Sequence, residues 1–356
     1  MAEPQAVISR PARATVFLVV TVTPGHEDTV RGLLEDVSGL RRSVSFRAPA
    51  DELACVVGIG SAVWDRLFSG PRPRELHPFV ELTGRRHRAP ATPGDLLFHL
   101  RARRQDLCFE LARLIVERLE GAATVVDEVH GFKYFDERDL LGFVDGSENP
   151  EGPAAVDAVV VGDEDPAFAG GSYVIVQKYL HDLRTWNALP SDEQERVIGR
   201  TKLANTELPD EIKPADSHVA RNTVTDENGD ERKIVRENMP FGTLGEGEFG
   251  TFFIGYARTP EVTEQMLRNM FLGDARAAHD RILDFSTAIT GCLFHVPPAG
   301  FLDDLPAAPG EREEDGGAAD PDAVTGEPAP GPTPADGEPA PANGSLGIGS
   351  LKGVRT

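Results

Sequence analysis

The sequence predicts an α+β protein whose body is built from two similar halves. Two observations predict it: β-branched apolar runs alternate with stretches of helical spacing, and the order strand, helix, strand recurs in both halves of the chain. A third sets its limit, since the globular pattern stops abruptly after Leu305.

The first half opens with ATVFLVVTV (14–22), β-branched and bounded by Pro24-Gly25, which reads as a strand. Residues 26–39 carry helical spacing, and ELACVVGIG (52–60) is a second strand. Residues 93–121, PGDLLFHLRARRQDLCFELARLIVERLEG, place apolar side chains at helical spacing up to Gly121 and predict one long helix. In the second half GGSYVIVQKYL (170–180) is a strand, followed by a helix over 191–202 that Ser191 opens. GTFFIGYAR (250–258) is a strand, and Pro260 starts the helix of 259–271. Residues 280–297 are expected to run from helix into a last apolar stretch. The endings CVVGIG and FFIGYAR, each leading into a helix, suggest a duplicated β-α-β unit.

Residues 306–343 hold nine acidic residues against one arginine and almost no large apolar side chain, too little to offset ordering entropy. They read as a flexible acidic Pro/Ala/Gly linker. The final stretch then regains Leu346, Ile348 and Leu351, spaced apolar residues at the far end of a polar tether, which is the pattern of a segment that docks in a groove on another protein.

A net charge of −22 argues against nucleic acid and anionic membranes as partners. Cys55, Cys108 and Cys292 stand singly with no Cys-x-x-Cys, which speaks against an iron–sulfur cluster, a zinc ribbon and a covalently attached haem. The first residues lack the pattern of an export signal, and no apolar run is long enough to span a bilayer, so the cytoplasm is the expected compartment.

Four segments carry the chemistry. LLGFVDGSENP (140–150) sets Asp145 between an apolar run and Gly146, in a backbone broken by Gly142, Gly146 and Pro150. KPADSHVARNTV (213–224) holds His218 in a polar loop. KIVRENMPFGT (233–243) places Arg236 and Asn238 two apart, on one face of an extended chain. LDFSTAITG (283–291) contributes Asp284, with Asp280 one helical turn earlier. Each alone has a bland reading: a turn-forming aspartate, a surface histidine, a solvated arginine, a helix-end carboxylate.

Together, over about residues 14–305, these segments closely resemble the motif series of the dye-decolorizing peroxidases, best the B-type branch. The resemblance implies two ferredoxin-like halves in a dimeric α+β-barrel-like arrangement, 1–150 ending in a distal haem loop and 151–305 binding haem b, one per chain. It implies His218 as the proximal iron ligand, with a carboxylate on its other ring nitrogen; Asp284 is the expected acceptor and Asp280 the alternative. It sets Asp145 over the distal face, with Gly146, Ser147 and Glu148 contributing contacts along the loop. Asp145 would move a proton from the inner to the outer oxygen of hydrogen peroxide, and a carboxylate, with a reference pKa of about 3.9, remains a base in acid. Arg236 would stabilise the departing hydroxide or pair with a haem propionate, and Asn238 would hold the distal water or peroxide. The division of work between Asp145 and Arg236 stays open, as does the reductant: a dye, a phenol or a similar one-electron donor. A homo-oligomer is also expected.

GSLGIGSLKG (344–353) resembles the targeting peptide of encapsulin cargo proteins, which implies a shell protein as partner and a place inside an encapsulin nanocompartment for a chain ending in residues 344–356. The competing function is a haem-handling protein, deferrochelatase-like, with incidental peroxidase activity. It needs His218 but has no use for Asp145, Arg236 and Asn238 assembled opposite. A cofactor-free ferredoxin-like binding protein leaves all four unexplained.

Overall fold

The computed structural model describes residues 2–8 and 12–310. The expected shell-binding residues Leu346, Ile348 and Leu351, and nearly all of the expected linker, lie outside the described residues.

The first half contains β1 (Ala14–Val22), α1 (Glu27–Ser45), β2 (Ala54–Gly60), α2 (Ser61–Leu67), the hairpin β3 (Leu82–Thr83) and β4 (Arg88–Ala89), β5 (Leu96–Ala102), α3 (Gln105–Arg118) and β6 (Ala123–Phe132). The second contains α4 (Pro153–Val159), β7 (Ser172–His181), α5 (Leu183–Asn187), α6 (Ser191–Ile198), α7 (His218–Asn222), β8 (Val224–Thr225), β9 (Glu231–Arg232), β10 (Val235–Arg236) and β11 (Met239–Thr243). It continues with β12 (Glu248–Ala257), α8 (Pro260–Phe271), a 3-10 turn Arg281–Asp284, β13 (Ser286–Ala288), β14 (Cys292–Val296) and α9 (Ala299–Asp303).

One antiparallel sheet runs through both halves in the order β10-β12-β7-β14-β2-β5-β1-β6, with β11 on β12 and β13 on β7. The four strands β2-β5-β1-β6 and their crossing helices α1 and α3 form a ferredoxin-like unit, and β12, β7 and β14 with α8 repeat it. The seam is β14 against β2, where Phe294 faces Gly60 and His295 faces Ile59. Beyond this short ladder the buried Gln5 side chain takes over, accepting from Val57 N at 2.8 Å and donating to Val57 O at 3.1 Å and Pro297 O at 2.9 Å. At the far edge β6 returns against β11: a Cβ on Gly131 would stand 2.5 Å from Met239 Cβ, so the sheet nearly closes on itself.

Its inner strands are apolar on both faces because both are covered. Val16, Leu18 and Val20 of β1 pack in the core under α1 and α3, whereas Phe17 and Val19 point into a second core shared with Val174, Val176, Phe252, Ile254 and Phe294. Phe17 stacks on Phe252 across that interior at 4.1 Å between ring centres.

The double coverage explains a correction. The long helix expected over 93–121 is a strand, β5, followed by the shorter helix α3. LLFHLRA is buried at every position, so its continuous apolar run lacks the alternation that marks a half-exposed strand, and it merges with the helical pattern beyond Arg103-Arg104. Residues 280–297 likewise hold a 3-10 turn and two short strands, not a helix. β6, largely exposed along its length, mixes its valines with Asp127, Glu128 and His130 and shows no clean alternation. The body also reaches past Leu305, since Ala307, expected in the linker, accepts hydrogen bonds from Ser69 N at 2.8 Å and Ser69 Oγ at 2.9 Å.

Phe294, fully buried at the seam, tests whether the halves are one cooperative body. Phe294→Ala is expected to lower stability by about 3–5 kcal/mol. Denaturant unfolding followed by a probe in each half should show both shifted together; a shift confined to the second half would separate them.

Candidate active site

A cavity of about 380 Å³ opens in the second half, in the size range of small-molecule sites. Asp145, Gly146, Ser147, Glu148, His218, Arg236 and Asn238, all expected from the sequence, line it.

His218 stands at the first position of α7, where Ser217 caps the helix by accepting from Ala220 N. Its Nδ1 is 2.7 Å from Asp280 Oδ2. Asp280 is wholly buried; its other oxygen accepts from Ile282 N at 3.0 Å, and its own N–H donates to Met270 O at 2.8 Å. Asn222, one helical turn beyond His218, donates to His218 O at 2.8 Å and lies 3.4 Å from Asp280 Oδ2. A neutral His218 therefore donates through Nδ1, which leaves the Nε2 lone pair as the ligand atom. Asp284, the expected acceptor, does not occupy this position: its Oδ1 meets His87 and His279 instead. Asp284 is the acceptor the resemblance implies, and Asp280, one α-helical turn earlier on the same face, is the alternative. Residues 281–284 are a 3-10 turn, at about three residues per turn, so Asp280 and Asp284 diverge.

The loop after β6 is held from behind. Leu141 and Phe143 sit in a small core with Trp186, Val197, Ile198 and Phe285, and Trp186 Nε1 donates to Leu141 O at 2.9 Å. Arg138 Nη1 donates to Gly142 O and Lys202 O at 2.9 and 2.6 Å. Gly142 is required here: its φ is +91°, and a Cβ would stand 2.6 Å from Lys202 Cε. So anchored, the loop turns Asp145 into the cavity, where Oδ1 accepts from Gly146 N at 2.7 Å and faces Asn238 Nδ2 at 3.3 Å. Asn238 Oδ1 accepts from Ile254 N at 3.1 Å, supplying the acceptor where the pairing of β12 passes from β10 to β11. Asn149 clamps the loop to β10 reciprocally, accepting from Arg236 N at 2.9 Å and donating to Arg236 O at 2.7 Å. Asp145 and Asn238 are thus joined by a side-chain hydrogen bond, and Asn149 holds the backbone of Arg236 beside them in the wall of the same cavity.

The donor set fits the haem that the sequence resemblance implies. Phe253, Met266, Leu267, Met270 and Ile282 supply apolar walls, while Arg200, Lys213 and Lys233 supply cations suited to propionates. Arg236 Nε is buried with no hydrogen-bond partner, an orphaned donor in the cavity wall.

Several site residues left little trace in the sequence. Asn222 could have been found from its spacing of four from His218. Arg200 could not; it reaches Glu148 at 2.5 Å from a loop 52 residues away, so Glu148 is engaged through its carboxylate. Asp139 was hidden by its resemblance to a turn residue. Burial pushes its carboxyl up to about 7, with Asp145 adding repulsion and the Phe143 amide opposing the shift. Burial lowers His181 to about 4, so this cavity-lining ring stays neutral between the hydroxyls of Ser286 and Thr251.

The fold and this donor set define a class: a double ferredoxin-like protein fitted to hold an iron macrocycle beside an acid, an arginine and an amide. The chain belongs to the Dyp-type peroxidase family, whose C-terminal model matches residues 136–301 and whose N-terminal model matches 4–133. It is 58% identical to a dye-decolorizing peroxidase of Rhodococcus erythropolis over 98% of this chain and 97% of that one. Among solved structures, the encapsulated DyP-type peroxidase of Mycobacterium smegmatis superposes with a TM-score of 0.86 at 62% identity, covering 87% of this chain and 100% of that one. A variant of DypB from Rhodococcus jostii RHA1, solved in complex with heme, gives 0.82 at 57% identity, covering 85% and 98%.

Because folded Asp139 keeps its proton up to about pH 7 while the unfolded chain releases it near pH 4, the folded state binds more protons in between and loses stability as pH rises through that window. Thermal midpoints measured from about pH 4 to 7 should fall less steeply in Asp139→Asn, which cannot ionise.

Proposed function

We propose that this chain is a haem b peroxidase that uses hydrogen peroxide to oxidise dyes, phenols or similar one-electron donors, and that it works as cargo of an encapsulin shell. The observation that carries the enzymatic reading is the hydrogen-bonded pair of Asp145 and Asn238, with Arg236, lining the same cavity as a carboxylate-backed histidine.

His218 would hold the haem iron through Nε2, with Asp280 fixing the tautomer and raising the basicity of the ring. Arg200, Lys213, Lys233 and the free Nε of Arg236 would receive the propionates, and the haem would supply the two-electron reduction of peroxide. The protein's own part is proton handling. Asp145 accepts the proton from one peroxide oxygen and returns it to the other as the O–O bond breaks, which turns a poor leaving group into water. Asn238 keeps the Asp145 carboxylate oriented by donating to Oδ1, and its carbonyl, tied to Ile254 N, fixes the amide the right way round for that. Arg236 places positive charge where negative charge develops on the departing oxygen. Gly146 and Ser147 carry no side chain large enough to obstruct the distal face. A haem-handling protein has no need of this second group, which is why the peroxidase reading is preferred.

His218→Ala should fold and purify with little haem; full loading with an unaltered Soret band would remove the ligand assignment. Arg236→Leu and Asp145→Asn should keep haem, and the slower of the two should lose about 10²-fold or more in its rate with peroxide in stopped-flow. Wild-type rates in both would exclude them as the catalytic pair.

The shell reading is supported by the tail sequence and by the M. smegmatis neighbour, which is encapsulated. A tether of about forty residues spans on the order of 35 Å as a random coil, enough for several tails of one oligomer to reach separate wall sites and gain avidity. Removal of residues 311–356 should leave peroxide turnover intact and abolish co-purification with the shell, whereas residues 340–356 fused to a fluorescent protein should enter it. Entry of the truncated enzyme, with exclusion of the fusion, would show that the tail is not the address.

A further inference from the structure

Outside the cavity, His87, His279 and Asp284 bring three ligand atoms within 4.8 Å of one another. His87 Nε2 is 3.0 Å and His279 Nε2 is 3.2 Å from Asp284 Oδ1, and the rings lie 4.7 Å apart, tilted at 59°. Two N–H groups aimed at one carboxylate oxygen are an ordinary ion-pair motif, but the spacing also suits a metal. Ligands about 2.0–2.1 Å from a tetrahedral Zn²⁺ stand about 3.3 Å from each other, close to both contacts here.

The three side chains come from separately fixed segments. His87 lies in the β3–β4 hairpin, which is pressed so closely on the end of α8 that a Cβ on Gly84 would meet Phe271 O at 1.9 Å. His279 ends a turn tied down by Asp274, which accepts from Arg276 N and Ala277 N at 2.8 and 3.1 Å and pairs with the buried Arg221. Asp284 closes the 3-10 turn. His87 and His279 are partly shielded, with side chains 19% and 15% exposed, whereas Asp284 is the more exposed member. Arg86 Nη1 also approaches Asp284 Oδ1, at 3.4 Å, but its side chain is 65% exposed and can turn out to solvent.

We propose that His87, His279 and Asp284 form a binding site for a borderline divalent cation, Zn²⁺, with water completing the tetrahedron. Two imidazoles and one carboxylate favour such a cation over Ca²⁺ or Mg²⁺, which prefer oxygen donors. The site's role is to pin structure. It bridges the β3–β4 hairpin to the turn 279–284, and that turn carries Asp280, the partner of His218.

The test uses haem-loaded full-length protein, stripped of metals with a chelator, and titrates Zn²⁺ by calorimetry. All nine histidines precede residue 300, so the C-terminal segment adds no imidazole to compete. One equivalent per chain is expected. His87→Ala, on the hairpin and away from Asp280, should keep its Soret band and weaken that binding more than about tenfold, as should Asp284→Asn. Zn²⁺ should raise the thermal midpoint of the wild type and not of either variant. Absence of a binding step in the wild type, or wild-type affinity and stoichiometry in His87→Ala, would overturn the proposal without touching the haem site, whose loading is read separately.

Discussion

Everything in this molecule depends on the apolar interior that the two halves bury for each other. A single ferredoxin-like unit can cover one face of its sheet with its own helices and must find something else for the second. Here the second face of each half is the other half. Phe17, Val19 and Leu97 from one side meet Val174, Phe252 and Phe294 from the other. Burial of a Val, Leu or Phe side chain contributes on the order of 1.5–3 kcal/mol, so the many apolar residues of this interior together outweigh any surface interaction in the structure. The seam itself is a short ladder, completed by a glutamine side chain where the backbones part.

The candidate active site exploits the rigidity of that interior without being part of it. β10 and β11 hang on β12, so Arg236 and Asn238 inherit the position of a strand packed across the core. The loop of Asp145 has no strand of its own. It is anchored by Leu141 and Phe143 in a separate small core and clamped to β10 through Asn149. His218 belongs to a helix of five residues, too short to hold itself, and is fixed by a buried carboxylate. Asp280 carries the heaviest constraint, because an aspartate with no solvent exposure must have every oxygen satisfied. Ile282 N serves one oxygen, and the His218 ring with Asn222 serves the other. The same carboxylate therefore completes the fold of the turn and orients the candidate ligand.

The sequence by itself determined a good deal. Strands β1, β2, β7 and β12 were legible because β-branched runs ended in turn residues, and α8 because its apolar stripe begins at a proline. Asp145, His218, Arg236 and Asn238 were legible because they stand in segments of unusual composition whose order matches a known family. It did not determine β5, since a strand buried on both faces loses its alternation and reads as helix, nor β6, since the valines of an exposed edge strand are interrupted by charged residues. Only the tertiary structure decided which carboxylate serves His218. Asp280 and Asp284 are equivalent on an α-helix and point to different partners on a 3-10 turn, and which of these forms is a matter of how residues 280–284 pack between α6, α7 and β13. Arg200 with Glu148, and His87 with His279 and Asp284, were likewise invisible, because side chains 52 to 197 residues apart are brought together by the closing of the sheet and not by any local pattern.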